Sequence, residues 1–223
     1  MIEYLTIPHE IMNRKNPLHY ALFEYKNNSE MKLFITILAY STMIYRNTKK
    51  EADHNFNIKG LLGESSILNR RDLSVSKIRS FINELKSPFF HEIKTLGNEI
   101  HFKLSKQYKK NIKDSGFNKL EISDLKTISD VRTVKLFILT KIKPSGYLDL
   151  HYLFKVLDLN TIKRRDNKIA KIKKSFKSIN VEAEYKHPAN QNQKATEEHY
   201  KFYYDTKESE LNEILENTEI DFD

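Results

Sequence analysis

The sequence contains no cysteine, so neither a disulfide nor a cysteine-ligated zinc site can form. Glycine is scarce, at five among 223 residues, while 30% of residues are charged. That balance argues against a sandwich or barrel and for a helix-rich chain. No apolar run approaches the ~20 residues needed to cross a bilayer. The N-terminus, MIEYLTIPHE, lacks the charged-then-apolar pattern of a secretory signal. A cytoplasmic location is therefore expected. Catalytic signatures are also missing. The eight histidines show no metal-ligand spacing and no His-x-His pair, which a nicking enzyme with a tyrosine nucleophile would carry. Gly60 and Gly63 precede a helix-like stretch without the Gly-Lys-Ser/Thr of a phosphate loop. Asp221 and Asp223 form an acidic pair in a terminal tail, where a metal site is not expected. The expectation is a protein that is not an enzyme and uses neither cofactor nor metal. Any use of ATP would then belong to a partner.

What the sequence has in abundance is positive charge, concentrated in one place. Between Ile162 and Ser178, eight bases stand against the single acid Asp166, a local charge of +7 in a chain whose total is +8. The last nineteen residues, 205–223, hold eight acids and one base, so the preceding 204 residues carry +15. Such a field steers a protein toward polyanions. Lysines outnumber arginines 30 to 8, a bias that AT-rich coding also produces. At 100° per residue, Ile169, Ile172, Phe176 and Ile179 form one apolar stripe. Lys163, Asn167, Lys171, Lys174 and Ser178 fall on the opposite side, flanked by Arg164 and Lys177, and Lys168 is counted with them as a DNA contact. An ordinary solvated surface helix would also be rich in lysine. A helix anchored on one face and so lopsided on the other suits the major groove of double-stranded DNA.

The 223 residues allow one large domain or two of about 100 each, and thirteen Phe with twelve Tyr supply apolar surface for real cores. In the first half, Ser29 is a candidate cap for a helix whose apolar residues include Met31, Phe34, Ile35, Leu38 and Tyr40. Phe56-Asn57-Ile58 alternates like a short strand, and Lys59 to Ser66 suggests a second helix. After the polar loop Asn69-Arg70-Arg71-Asp72, Ser74 or Ser76 can cap a third helix with Ile78, Phe81, Ile82 and Leu85 inward, ended by Pro88. That helix would show Lys77, Arg79 and Asn83 outward. Two alternating runs, 89–95 and 99–105, joined through Gly97, predict a hairpin. The order helix, strand, helix, helix, hairpin is that of a winged helix.

The order recurs. Residues 130–141 predict a helix, 147–150 a short strand, and a further helix runs through Leu157 into the basic one. Strands over 181–186 and 199–204 flank the polar loop at 188–193. Residues 106–115 are basic, poor in large apolar side chains, and read as the joint between the halves. The predicted fold class is α+β, helix-rich, with two tandem winged-helix domains at 1–110 and 117–204 and an acidic tail at 205–223. DNA contact is assigned to the basic helix. Arg70, Arg71, Lys77, Arg79 and Asn83 are expected to give a weaker contact from the first domain.

Several segments resemble the replication initiator (Rep) proteins of iteron-containing bacterial plasmids. FNKLEISDLKTISDVRTVKLFIL at 117–139 is similar to the family's entry into its second domain. LHYLFKVLDL at 150–159 looks like the element ahead of the recognition helix, and IAKIKKSFKSIN at 169–180 like that helix itself. HYKFYY at 199–204 resembles the closing strand, and KLFITILAY at 32–40 a first-domain helix. The resemblance spans about 5–204 through hydrophobic spacing, without a catalytic motif. It implies binding to repeated origin sites, melting of adjacent AT-rich DNA and recruitment of host replication proteins such as the helicase and initiator. It also implies a homodimer–monomer equilibrium, with dimerisation through the first domain. A winged-helix transcriptional regulator that binds an operator as a dimer is the alternative.

Overall fold

The structure, a computed structural model, describes residues 4–48, 54–62, 67–68, 73–187 and 199–206. The chain divides into two compact units, Met1–Val134 and Lys135–Asp223. The fold is mixed helix and strand, α+β in class.

The first unit opens with β1 (Tyr4–Pro8), a 3-10 turn at His9–Met12 and the short α1 (Pro17–Ala21). Asn16 caps α1 by accepting the Leu18 N–H at 3.0 Å, and Pro17 sits at the first helical position, where its missing N–H costs nothing. The spine of the unit is α2 (Asn28–Thr48). Of the expected apolar residues, Met31, Phe34, Ile35 and Leu38 are buried and Tyr40 is half-buried; Leu33, Ile37 and Ala39 are buried as well. A helix apolar around most of its circumference belongs inside. The cap differs from the one expected. Ser29 lies within the helix, and Asn27 accepts the Glu30 N–H at 2.7 Å in its place.

β2 (His54–Asn57) and a 3-10 turn at Ile58–Leu62 follow. The predicted second helix therefore starts as a tighter turn, and residues 63–66 lie outside the described set. Next comes α3 (Val75–Glu84), capped by Ser74, whose hydroxyl accepts the Lys77 N–H at 3.3 Å. Ile78 and Ile82 are buried; Phe81 and Leu85 are half-buried. The helix ends before Pro88, with Leu85 already in extended backbone (ψ 109°).

β3 (Phe90–Leu96) and β4 (Glu99–Leu104) form the predicted hairpin around Gly97, whose φ of +58° only glycine adopts at no cost. β2 joins β4, giving the three-stranded order β2-β4-β3.

The chain then departs from expectation. Residues 106–115 are no open joint: α4 (Lys106–Asp114) forms there, capped by Ser105 accepting the Tyr108 N–H at 3.2 Å. Tyr108 is fully buried, its ring centroid 5.0 Å from that of Phe89. Its hydroxyl lies 2.8 Å from Thr42 Oγ1. Thr42 gives its one proton to the Leu38 carbonyl at 2.6 Å, so Tyr108 donates to Thr42. Burial pushes the Tyr108 phenol above its ordinary pKa, which keeps that proton in place. After α4, β5 (Phe117–Glu121) runs antiparallel to β1 with Leu5 opposite Leu120. The segment assigned from sequence to the second domain thus belongs with the first, and the division falls inside α5 (Val131–Ile142). The expected boundary at 110–117 moves to 134–135.

Asp130 caps α5 through the Thr133 N–H at 3.0 Å. In the second unit, β6 (Ser145–Asp149) leads into α6 (Leu150–Val156). Lys135, buried, donates from Nζ to the Val156 carbonyl at 3.0 Å and so satisfies an orphan acceptor at the end of α6. Asp158, at φ +53°, turns the chain, and the Leu159 N–H returns to the Phe154 carbonyl at 2.8 Å. The basic helix is α7 (Arg165–Lys177), shorter at both ends than the basic stretch from Ile162 to Ser178. β7 (Ala183–Lys186) and β8 (Lys201–Asp205) complete a sheet in the order β6-β8-β7. Phe176 of α7 stacks on Phe202 of β8 at 5.6 Å and lies 5.8 Å from Tyr204, and Ile172 is buried on the same face of the helix. Tyr204 donates to the Lys143 carbonyl at 2.7 Å, and burial pushes its hydroxyl pKa up to about 12. The second unit follows the order helix, strand, helix, helix, hairpin, and the first follows it with a 3-10 turn where the second helix was expected. The wing loop at 188–193 and the tail beyond Thr206 lie outside the described residues.

Candidate nucleic-acid interface

α7 forms because its sequence satisfies three requirements together. Lysines are good helix formers. Asp166 sits in the first turn, and Lys174 and Lys177 in the last, each complementing the helix dipole. Ile172, Ser175 and Phe176 bury one face, with Ile169 and Ile179 half-buried beside them. Asn180, at φ +51°, ends the helix, and the Val181 N–H reaches back to the Phe176 carbonyl at 3.2 Å.

The opposite face is cationic and open. Asn167, Lys171, Lys174 and Lys177 are exposed on the helix, and Lys163 and Arg164 are exposed just ahead of it. No ion pair among the described residues takes up Lys163, Lys171, Lys174 or Lys177. The helix is ~20 Å long, so these charges lie mostly within a Debye length of about 8 Å of a neighbour at physiological salt. They repel one another and leave a concentrated positive potential that a polyanion relieves.

Two expected contacts are placed differently from the rest. Lys168 is half-buried, its Nζ 4.5 Å from the Phe154 ring centroid, so its stem covers apolar surface while its charge sits over a ring. Ser178 is exposed, but its hydroxyl donates to the Lys174 carbonyl at 2.8 Å and so satisfies an acceptor at the helix end.

In the first unit, the outward residues of α3 serve largely to hold the hairpin. Arg79 donates from Nη2 to the Gly97 carbonyl and to Asn98 Oδ1, both at 2.8 Å. Asn83 Oδ1 accepts from Thr95 Oγ1 at 3.0 Å and from the Thr95 N–H at 3.4 Å. These two side chains, expected at DNA, fasten helix to wing. Lys77 remains exposed on the same helix, while Glu84, held by the Ser80 hydroxyl at 2.7 Å, dilutes its charge. Arg70 and Arg71 lie outside the described residues.

Sequence reasoning counted Arg165 only as charge. Its Nη2 donates to the Tyr185 hydroxyl at 2.6 Å, and its guanidinium lies 5.0 Å from the Tyr200 ring centroid. The signal available in the sequence was an arginine at the first turn of a helix followed by a tyrosine-bearing hairpin.

No helix among the described residues is long and apolar enough to cross a membrane. No protein-family model matches the chain, and no curated protein sequence matches it. Among solved structures, a crystal structure of Pi initiator protein in complex with iteron DNA is similar over 85% of this chain and 93% of its own, with a TM-score of 0.55 and 11% sequence identity. The chain shares the fold of that initiator protein.

Proposed function

We propose that this chain binds double-stranded DNA sequence-specifically and initiates plasmid replication. In this reading it engages repeated sites at an origin, assists melting of neighbouring AT-rich DNA and draws in host replication proteins. It acts by binding alone and performs no chemistry itself. The observation that carries the proposal is the exposed cationic stripe of α7, backed by an aromatic core that fixes its orientation. The fold shared with an initiator crystallised on iteron DNA supports the same reading. Lysine side chains facing phosphates would release condensed counterions, giving affinity and a steep salt dependence. Asn167 among them offers the donor–acceptor pair that reads adenine. The first unit supplies a weaker, positional contact and the surface for a dimer that exchanges with monomer.

The test is a nuclease footprint of the purified chain on the DNA flanking its own gene. Evenly repeated protection in direct orientation, beside an AT-rich stretch, is the expected result. Protection of a single inverted site would make the protein an operator-binding regulator instead.

Two further results are expected. Changing Arg70 and Arg71 to alanine weakens binding to all duplexes alike and lowers the salt slope by about one unit per lost phosphate contact. A loss selective for one base position, with the slope unchanged, would mean direct readout. Residues 207–223 carry seven of the tail's eight acids. If they compete with DNA for the +7 segment, a chain ending at Thr206, which preserves β8 and the Thr206 N–H to Pro144 carbonyl bond, binds nonspecific duplex more tightly at low salt. That gain fades as salt rises. Equal affinity of both chains across the salt range would leave the tail a solubility element.

A further inference from the structure

Arg165 opens α7 and touches both stems of the second hairpin. Its Nη2 donates to the hydroxyl of Tyr185 on β7 at 2.6 Å, and its guanidinium carbon sits 5.0 Å from the ring centroid of Tyr200, the residue before β8. The two rings stack on each other at 5.2 Å with planes 24° apart. Tyr185 also packs 4.9 Å from Phe202, which is fully buried. One side chain thus links the start of the cationic helix, through two rings, to the core of its sheet. The ring contacts continue outward: His187 meets Tyr200 at 5.5 Å and His199 at 5.2 Å. The first unit uses the same device, where Arg79 of α3 holds the turn of its own hairpin. A guanidinium can stack on a ring and donate along a fixed direction at the same time. An ammonium has no plane to stack and no fixed donor direction.

We propose that Arg165 is a positioning residue that sets the angle of the second wing against α7, so that wing and helix meet one duplex in register. The inference rests on the reading that α7 engages duplex DNA. Loss of the link frees Tyr185 and Tyr200 to rotate against the start of α7, while the lysine stripe of α7 stays where the core holds it.

The experiment uses the full chain and a duplex that it selects from a random pool. Wild type, Arg165→Lys and Tyr185→Phe are compared by hydroxyl-radical footprint and by affinity, with thermal melting as a control. Both substitutions preserve net charge, and Tyr185→Phe leaves Arg165 itself untouched. The expected result is that both variants lose protection at the flank under the wing and keep it at the centre under α7. Affinity falls about tenfold, the scale of one lost charge-assisted hydrogen bond, and the melting temperature is unchanged. A Tyr185→Phe footprint identical to wild type overturns the proposal. If Arg165→Lys is then also normal, the link is idle; if it alone is impaired, Arg165 contacts DNA directly. Failure of the wild-type chain to select any duplex would instead remove the functional reading beneath it.

Discussion

Replacing Tyr108 by alanine is expected to cost about 3–5 kcal/mol of stability, the range for emptying a fully buried aromatic site. The ring packs 5.0 Å from Phe89, which lies 5.6 Å from Phe34 of α2, so its removal opens a cavity in the centre of the first unit. Replacing it by phenylalanine is expected to cost about 1 kcal/mol, one net hydrogen bond. Thr42 keeps its own bond to Leu38 in that variant, so no buried donor is stranded. Urea unfolding of both variants measures the difference. A loss under about 0.5 kcal/mol for the alanine variant, typical of an exposed position, would mean that residues 106–114 are the open joint their composition suggests.

That segment shows where sequence reasoning stops. In KQYKKNIKD a single ring carries the burial, and Asn111, though buried, is polar. One anchor makes no stripe, so periodicity sees only charge, and the strand pairing that returns 117–121 to residues 4–8 has no local signature. Where several apolar side chains repeat, as in α2, α3 and α7, or where glycine marks a two-residue turn, the elements follow from spacing. The candidate site was legible to the same degree. Helical geometry is enough to put Lys171 and Lys174 opposite Ile172 and Phe176. It says nothing of hairpins folding back, so Arg79 and Asn83, outward on α3, and Arg165, read only as charge, each meet a hairpin that spacing does not foretell. The contact of Lys168 with Phe154 is hidden for a related reason, since its angular position borders the apolar stripe and Phe154 arrives from another helix.

Changing Lys171 and Lys174 together to alanine is expected to lower affinity for a selected duplex by about 1–3 kcal/mol for each residue that reads a base. Both are exposed and contribute nothing to the core, and alanine is a better helix former than lysine. Thermal stability should therefore hold or rise slightly, because removing two like charges from α7 also relieves repulsion. Affinity and stability moving in opposite directions is what distinguishes a functional face from a solvated one. Lysines kept only for solubility would give no change in specific binding when removed.

The most direct measurement is a fluorescence-anisotropy titration of wild type and the Lys171→Ala, Lys174→Ala variant on the selected duplex and on a scrambled one, repeated across a range of salt. On the selected duplex, the variant should lose about tenfold to several hundredfold, and its salt slope should be shallower by up to two units. On the scrambled duplex the loss should be smaller. Indistinguishable titrations for the two proteins on the selected duplex, at every salt concentration, would contradict the placement of α7 at the DNA.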